Sequence, residues 1–125
     1  MHDLSKFKIL VIDDDPDMLA FITAVLEDNG ASVFTACNGI DGLKAAKIVI
    51  PDLITLDLSM PEMDGEELVK HIRQDSGLSE IPILIMSGVI RAKDISNLLK
   101  VGATAFLPKP VAIKDLKDFI NNNLS

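Results

Sequence analysis

The chain has 125 residues, enough for one domain of common size that buries a core without disulfide or metal staples. It is 48% hydrophobic and 25% charged, with a formal charge of −7 and a single cysteine, Cys37. That excludes an internal disulfide and a Cys/His zinc cluster, and it argues against direct nucleic-acid binding, whose affinity comes largely from Lys and Arg. No apolar run approaches the ~18 residues of a membrane span. The start, Met1-His2-Asp3-Leu4-Ser5-Lys6, lacks a signal-peptide pattern. A reducing, cytoplasmic setting away from membranes is expected.

Apolar runs and helical patterns alternate along the whole chain. The run Ile9 to Ile12 is unbroken and largely β-branched, as in a strand covered on both faces. It stops at Asp13-Asp14-Asp15-Pro16, where Asp15 suits a helix cap and Pro16 the first helical position. Met18, Leu19, Phe21, Ile22, Val25 and Leu26 recur at helical spacing until Asn29-Gly30. Ser32 to Ala36 reads as a second strand. Asn38-Gly39 opens a second helix with Leu43, Ala46 and Ile50 as core positions, and Pro51 ends it.

A third strand covers Asp52 to Leu56 and runs into Asp57, followed by the loop Leu58 to Gly65. Leu68, Val69 and Ile72 mark one face of a third helix. Ile81 to Met86 is a fourth strand, with Pro82 near its start because it lacks a backbone donor. A fourth helix over Ala92 to Lys100 has a narrow apolar face, and Gly102 ends it. Thr104 to Leu107 form a short fifth strand, and Ile113, Leu116 and Ile120 a last helix. Crossovers of this length join parallel strands and are right-handed, which places helices on both faces of a doubly wound five-stranded α/β sheet. No linker or repeat divides residues 1–125, so one domain is expected.

Open parallel sheets bind ligands beyond the carboxyl ends of their strands. Here those ends carry Asp13 and Asp14, then Asp57, then Ser87-Gly88, then Lys109-Pro110. Each motif alone is weak; the coincidence is specific. Clustered carboxylates repel unless a cation compensates, and a hard divalent ion with oxygen ligands answers that need. Mg²⁺, with Mn²⁺ as a substitute, fits a site held by one or two carboxylates plus phosphate, and Lys109 adds a fixed positive charge. Such a site suits phosphoryl transfer, with a carboxylate as nucleophile.

The runs Ile9 to Pro16, Asp57-Leu-Ser-Met-Pro-Glu-Met-Asp-Gly65, Met86-Ser-Gly88 and Gly102-Ala-Thr-Ala-Phe-Leu-Pro-Lys-Pro110 resemble response-regulator receiver domains of two-component signalling, over essentially the whole chain. The resemblance implies the flavodoxin-like strand order 2-1-3-4-5 known from chemotaxis receivers. It implies that Asp57 accepts a phosphoryl group from a sensor histidine kinase or phosphotransfer protein. Asp14 and Asp57 would then hold Mg²⁺ through carboxylates, Asp13 mainly through water, and Ser59 through its backbone carbonyl. Ser87 would hydrogen-bond the phosphoryl group and Lys109 pair with it, while Phe106 matches an aromatic switch position. Lys109-Pro110 matches a peptide that is usually cis in the family, as X–Pro bonds allow. The readout face would comprise Arg91 to Lys100, Phe106 and Val111 to Phe119, and homodimerisation on phosphorylation is left open with no face assigned to it. Phe106 lacks the hydroxyl of a tyrosine. Ser59 and Val89 fill two positions that tune phosphate loss, and neither would help place an attacking water, which implies a long-lived phosphoryl state.

Other readings compete residue by residue. A small Mg²⁺-dependent phosphohydrolase with an aspartyl nucleophile would carry a second acid two residues on, where this chain has Ser59. A flavodoxin-like cofactor module would need a Ser/Thr/Gly-rich loop after the first strand, where three acids stand. Asp15 reads as a cap. Met60-Pro61, Asp64 and Gly65 read as shaping the loop and starting the third helix, with Asp64 as its cap. His71 reads as solvated, His2 as part of a frayed terminus, and Cys37 as an inert small residue near a strand end. A receiver of this kind catalyses only its own phosphorylation and dephosphorylation.

Overall fold

A computed structural model describes residues 3–57, 65–88 and 92–124. Five strands alternate with five helices among them: β1 (Lys8–Ile12), α1 (Pro16–Asp28), β2 (Ser32–Ala36), α2 (Gly39–Val49), β3 (Leu53–Asp57), α3 (Gly65–Gln74), β4 (Ile83–Ser87), α4 (Ala92–Val101), β5 (Ala105–Pro108) and α5 (Ile113–Asn123). All pairings are parallel, in the order β2-β1-β3-β4-β5. The expected doubly wound sheet and strand order are therefore present.

The alternation within each strand divides the core. Leu10, Ile12, Ile54, Leu56, Ile83 and Ile85 point to one face, where Ala46 of α2, Leu68, Val69 and Ile72 of α3 and Leu98 of α4 cover them. Ile9, Val11, Leu53, Leu84 and Met86 point to the other, under Ile22 and Leu26 of α1 and Leu116, Phe119 and Ile120 of α5. Both faces of the central strands are thus dry, which is why Ile9–Ile12 in β1 and Ile83–Met86 in β4 read as unbroken apolar runs.

Local chemistry sets the helix ends. The Asp15 side chain accepts from Asp17 N at 2.9 Å, with Pro16 next to it as the first helical residue. Asn38 caps α2: its Oδ1 accepts from Asp41 N at 2.8 Å and its Nδ2 donates to Asp41 Oδ2 at 3.0 Å. Gly42 lets α2 lie against β1, since a Cβ there would sit 2.7 Å from Ile12 Cδ1.

Several expected boundaries move. Ile50 is not a core residue: α2 ends at Val49, and Ile50 is its C-cap with φ of 51° and 50% exposure. The left-handed turn carries its side chain outward, while its N–H still reaches Ala46 O at 2.9 Å. β3 begins at Leu53 rather than Asp52, whose carboxylate instead accepts from Lys8 N at 2.8 Å. β4 begins at Ile83, two residues later than expected, because Pro82 has no donor for the ladder, although its carbonyl accepts from Ile54 N. β1 and β5 shift by one residue, to Lys8 and to Ala105–Pro108.

A polar side chain interrupts the dry interior of the sheet. Thr55 sits at 0% exposure in central β3, in register with Val11 and Leu84, and its Oγ1 has no hydrogen-bond partner. An unpaired buried hydroxyl is costly, and valine has nearly the same shape without it. Thr55→Val is expected to raise the free energy of unfolding by about 1 kcal/mol, read as a higher urea midpoint at unchanged slope. A lower midpoint would mean that the hydroxyl is satisfied.

Candidate functional site

Strand register builds the site. Ile12 lies opposite Leu56, so the next residues, Asp13 and Asp57, stand side by side at the carboxyl edge of adjacent strands. Asp57 pairs with Met86, and Ser87 with Pro108, which brings Ser87 and Lys109 to the same edge. The backbone extends this order: Lys109 N donates to Ser87 O at 2.8 Å, and Asp13 N to Ala36 O at 3.0 Å.

The side chains converge. One carboxylate oxygen from each of Asp13, Asp14 and Asp57 lies within 4.8 Å of the others. Lys109 Nζ donates to Asp13 Oδ2 at 3.1 Å and stands 3.4 Å from Asp57 Oδ1. Asp13 is buried at 0% exposure, Asp57 at 3% and Ser87 at 1%, whereas Asp14 is exposed. Asp13 Oδ1 also accepts from Asp15 N at 2.9 Å, which fixes its carboxylate. The Lys109–Pro110 peptide is cis.

The charge balance says what the cluster can hold. Three carboxylates against one ammonium leave a formal charge of −2, matched by one divalent cation. An all-oxygen donor set with one exposed member suits a hard ion that keeps part of its water, as Mg²⁺ does. The residues therefore fit the expected ion.

Burial alone would lower the Lys109 pKa, and it is the largest single influence. The hydrogen bond to Asp13, the charges of Asp57 and Asp13 and the contact with Asp57 together outweigh it, so the pKa is raised above its ordinary value of about 10.5. A cation whose pKa is higher in the folded state stabilises fully below its unfolded pKa, and that contribution disappears as pH rises through the folded value. In chelator, stability is therefore expected to fall above pH about 10.5 through loss of the Lys109 charge. The difference in urea midpoint between wild type and Lys109→Met should shrink across that range; a constant difference would exclude the linkage.

Not every expected residue enters the cluster. Phe106 is half-buried, pairs in register with Ile85, and lines an apolar crevice with Ile95, Leu98, Leu99 and Ala105. His71 is exposed beside Glu67 at 3.8 Å, and Cys37 is exposed just after β2. Ser59, Met60, Pro61, Asp64, Val89 and Arg91, and His2 at the terminus, lie outside the described residues. Gly65 is the first residue of α3 and is buried.

Sequence reading missed Arg73. Its guanidinium donates to Gly102 O at 2.9 Å, Ile81 O at 2.7 Å and Ser79 O at 3.1 Å, and partial burial lowers its pKa. A lone Arg on a helix whose apolar face is Leu68, Val69 and Ile72 gives no signal of this; only its position in the last turn of α3, where cations favour carbonyls, hints at it.

The doubly wound sheet with a carboxylate triad and lysine at its carboxyl edge defines a class of Asp-centred, cation-compatible domains. Residues 9–121 match the family model for the response regulator receiver domain, and the chain belongs to that family. It is 36% identical to an uncharacterised 14.6 kDa protein of Leptolyngbya boryana, over 89% of this chain and 85% of that one. Protein PilH of Pseudomonas aeruginosa is 33% identical over 91% and 94%. The chemotaxis protein CheY4 of Vibrio cholerae superposes with a TM-score of 0.89 at 31% identity, over 94% of this chain and 98% of that structure. Of several other curated relatives, among them a hybrid histidine kinase and DNA-binding regulators, the chain spans between 7% and 49% of the length. It is thus a receiver domain of two-component signalling, homologous to response regulators. No helix among the described residues is long and apolar enough to cross a membrane.

Proposed function

We propose that residues 1–125 form one receiver domain whose Asp57 accepts a phosphoryl group from the phosphohistidine of a sensor kinase or phosphotransfer protein in the cytoplasm. The observation that carries this reading is the meeting of three carboxylate oxygens within 4.8 Å of one another, with Lys109 against two of the three side chains. An Asp57 oxygen attacks phosphorus, the donor's N–P bond breaks, and the imidazole nitrogen keeps the electron pair and takes a proton. Asp13, Asp14 and Asp57, with the Ser59 carbonyl, would hold Mg²⁺ or Mn²⁺. When bound, the cation neutralises charge on the transferring phosphoryl oxygens.

Lys109 pairs with a phosphoryl oxygen and holds the remaining charge. Its main-chain bond to Ser87 O ties its position to that of the serine, whose hydroxyl donates to another phosphoryl oxygen. Movement of Ser87 toward the phosphoryl group, together with the new charge, biases a two-state equilibrium that reaches Phe106 and the face formed by α4, β5 and α5. The downstream partner binds that face, and a second copy would meet it there on phosphorylation.

Incubation with acetyl phosphate and Mg²⁺ tests the reading. One phosphoryl group per chain, sensitive to hydroxylamine and absent in chelator, is the expected mass-spectrometric result. Turnover of many phosphate esters per chain would instead support the phosphohydrolase. Persistence of the label for minutes or longer is expected from Ser59 and Val89; decay within seconds would overturn that part.

A further inference from the structure

The two most exposed large apolar residues among those described stand two apart in the chain, Ile48 at 83% and Ile50 at 50%. Ile48 lies in the last turn of α2, about 200° round the helix from buried Ala46 and so turned away from the core. Ile50 breaks a second rule. Its φ of 51° is the left-handed conformation that favours glycine, and no other non-glycine residue among those described has a positive φ. A β-branched side chain there is strained, and such strain gathers where a side chain is held for use. Neither residue belongs to either core cluster.

The turn that carries Ile50 is braced. Lys8 holds it from both sides, its Nζ donating to Val49 O at 2.7 Å and its N to Asp52 Oδ2 at 2.8 Å. Pro51 and Asp52 then form one wall of an open notch of about 470 Å³, whose other walls include Ser76, Ser79 and Glu80. An apolar ridge and an acidic notch are therefore contiguous. Lys44 and Lys47, both exposed, flank the ridge on the helix side. All of this lies at the amino edge of the sheet, opposite the edge that carries Asp57.

Such a surface is its own complement. A two-fold axis through the ridge stacks Ile48 and Ile50 on the same residues of a second copy, and it carries Lys47 of each chain towards Glu80 of the other. Each copy supplies both signs of charge, so two pairs form at once. The isoleucines make a dry centre and the charges a polar rim, which is the anatomy of a protein–protein contact. Because the turn is already fixed, little ordering entropy is lost on contact.

We propose that the chain forms a two-fold homodimer through the carboxyl end of α2 and the turn into β3, with Ile48 and Ile50 at its centre and Lys47–Glu80 pairs at its rim. The contact is separate from the face formed by α4, β5 and α5. It leaves the Asp57 edge open in both copies and does not depend on phosphorylation.

Sedimentation equilibrium on the whole unphosphorylated chain in chelator tests it. Mass should rise from monomer to dimer and stop there, with a Kd on the order of 100 μM, as suits a small contact. Ile48→Asp should raise that Kd by about tenfold or more, since it puts a charge in the dry centre. Its urea midpoint at low protein concentration should stay that of wild type. Ile50→Gly should weaken association too, with a urea midpoint no lower than wild type, because glycine accepts the turn without strain. Lys47→Glu and Glu80→Lys should each raise Kd by about tenfold or more through like-charge pairs, and their equimolar mixture should dimerise as wild type does. A rescue that stops at the dimer requires a two-fold contact. Wild type that stays monomeric to about 1 mM, species larger than a dimer, or a mixture no better than either variant would overturn the proposal.

Discussion

Asp57→Asn is expected to lower phosphoryl uptake from acetyl phosphate by about three orders of magnitude or more, to background in practice, while leaving the fold intact. The substitution keeps the shape of a residue that is 3% exposed at the end of β3, so no cavity opens. What goes is the anionic oxygen that attacks phosphorus, and no neighbour can replace it. Asp13 is locked by Asp15 N and Lys109, and Asp14 is exposed with its carboxylate at the rim of the cluster. Loss of one negative charge also weakens the cluster's hold on a divalent cation, so the variant should need more Mg²⁺ for a given thermal stabilisation. Asp14→Asn separates these effects: it should still take up label, at a raised Mg²⁺ requirement, because it spares the nucleophile. Wild-type-like labelling of Asp57→Asn would place the acceptor elsewhere and remove the proposed role of this residue.

The parts legible in the sequence are those where one physical signal dominates. Ile9 to Ile12 and Ile83 to Met86 are covered on both faces, so their apolar runs are unbroken and the strands stand out. Asp15-Pro16 and Asn38-Gly39 carry their own capping chemistry, and both helices start there. The positions of Asp13, Asp14, Asp57, Ser87 and Lys109 were readable because a parallel sheet puts all strand ends on one side, whatever the loops do. Ile50 was misread because its apolar character fits the helical period, whereas its conformation is decided by the helix stop before Pro51. Arg73 and Thr104 were invisible for another reason: their partners are backbone carbonyls and amides, which every residue carries. A side chain that bonds to main chain leaves no complementary residue type to find. The same holds for Leu4, fully buried near the terminus with its N–H on Asn29 O.

Lys109→Met in chelator is expected to lower the free energy of unfolding by about 3 kcal/mol, and Mg²⁺ is expected to return much of it. The ammonium lies 3.1 Å from a carboxylate at 0% exposure and 3.4 Å from a second. Removing it leaves Asp13 buried with its charge uncompensated and Asp57 repelling it at close range. Breaking such a pair from one side costs more than the pair itself is worth, and the open rim at Asp14 keeps the cost at the lower end of that class. A cation that binds the folded chain alone stabilises it by mass action. In the variant it meets a formal charge of −3 instead of −2, so it should bind more tightly and shift the melting temperature further than in wild type. Phosphoryl uptake should still occur at Asp57, but more slowly, because the cation then neutralises the phosphoryl oxygens without the lysine. Equal Mg²⁺-induced shifts in wild type and variant would mean that the lysine and the ion do not share these carboxylates, and the electrostatic account of the site would have to be abandoned.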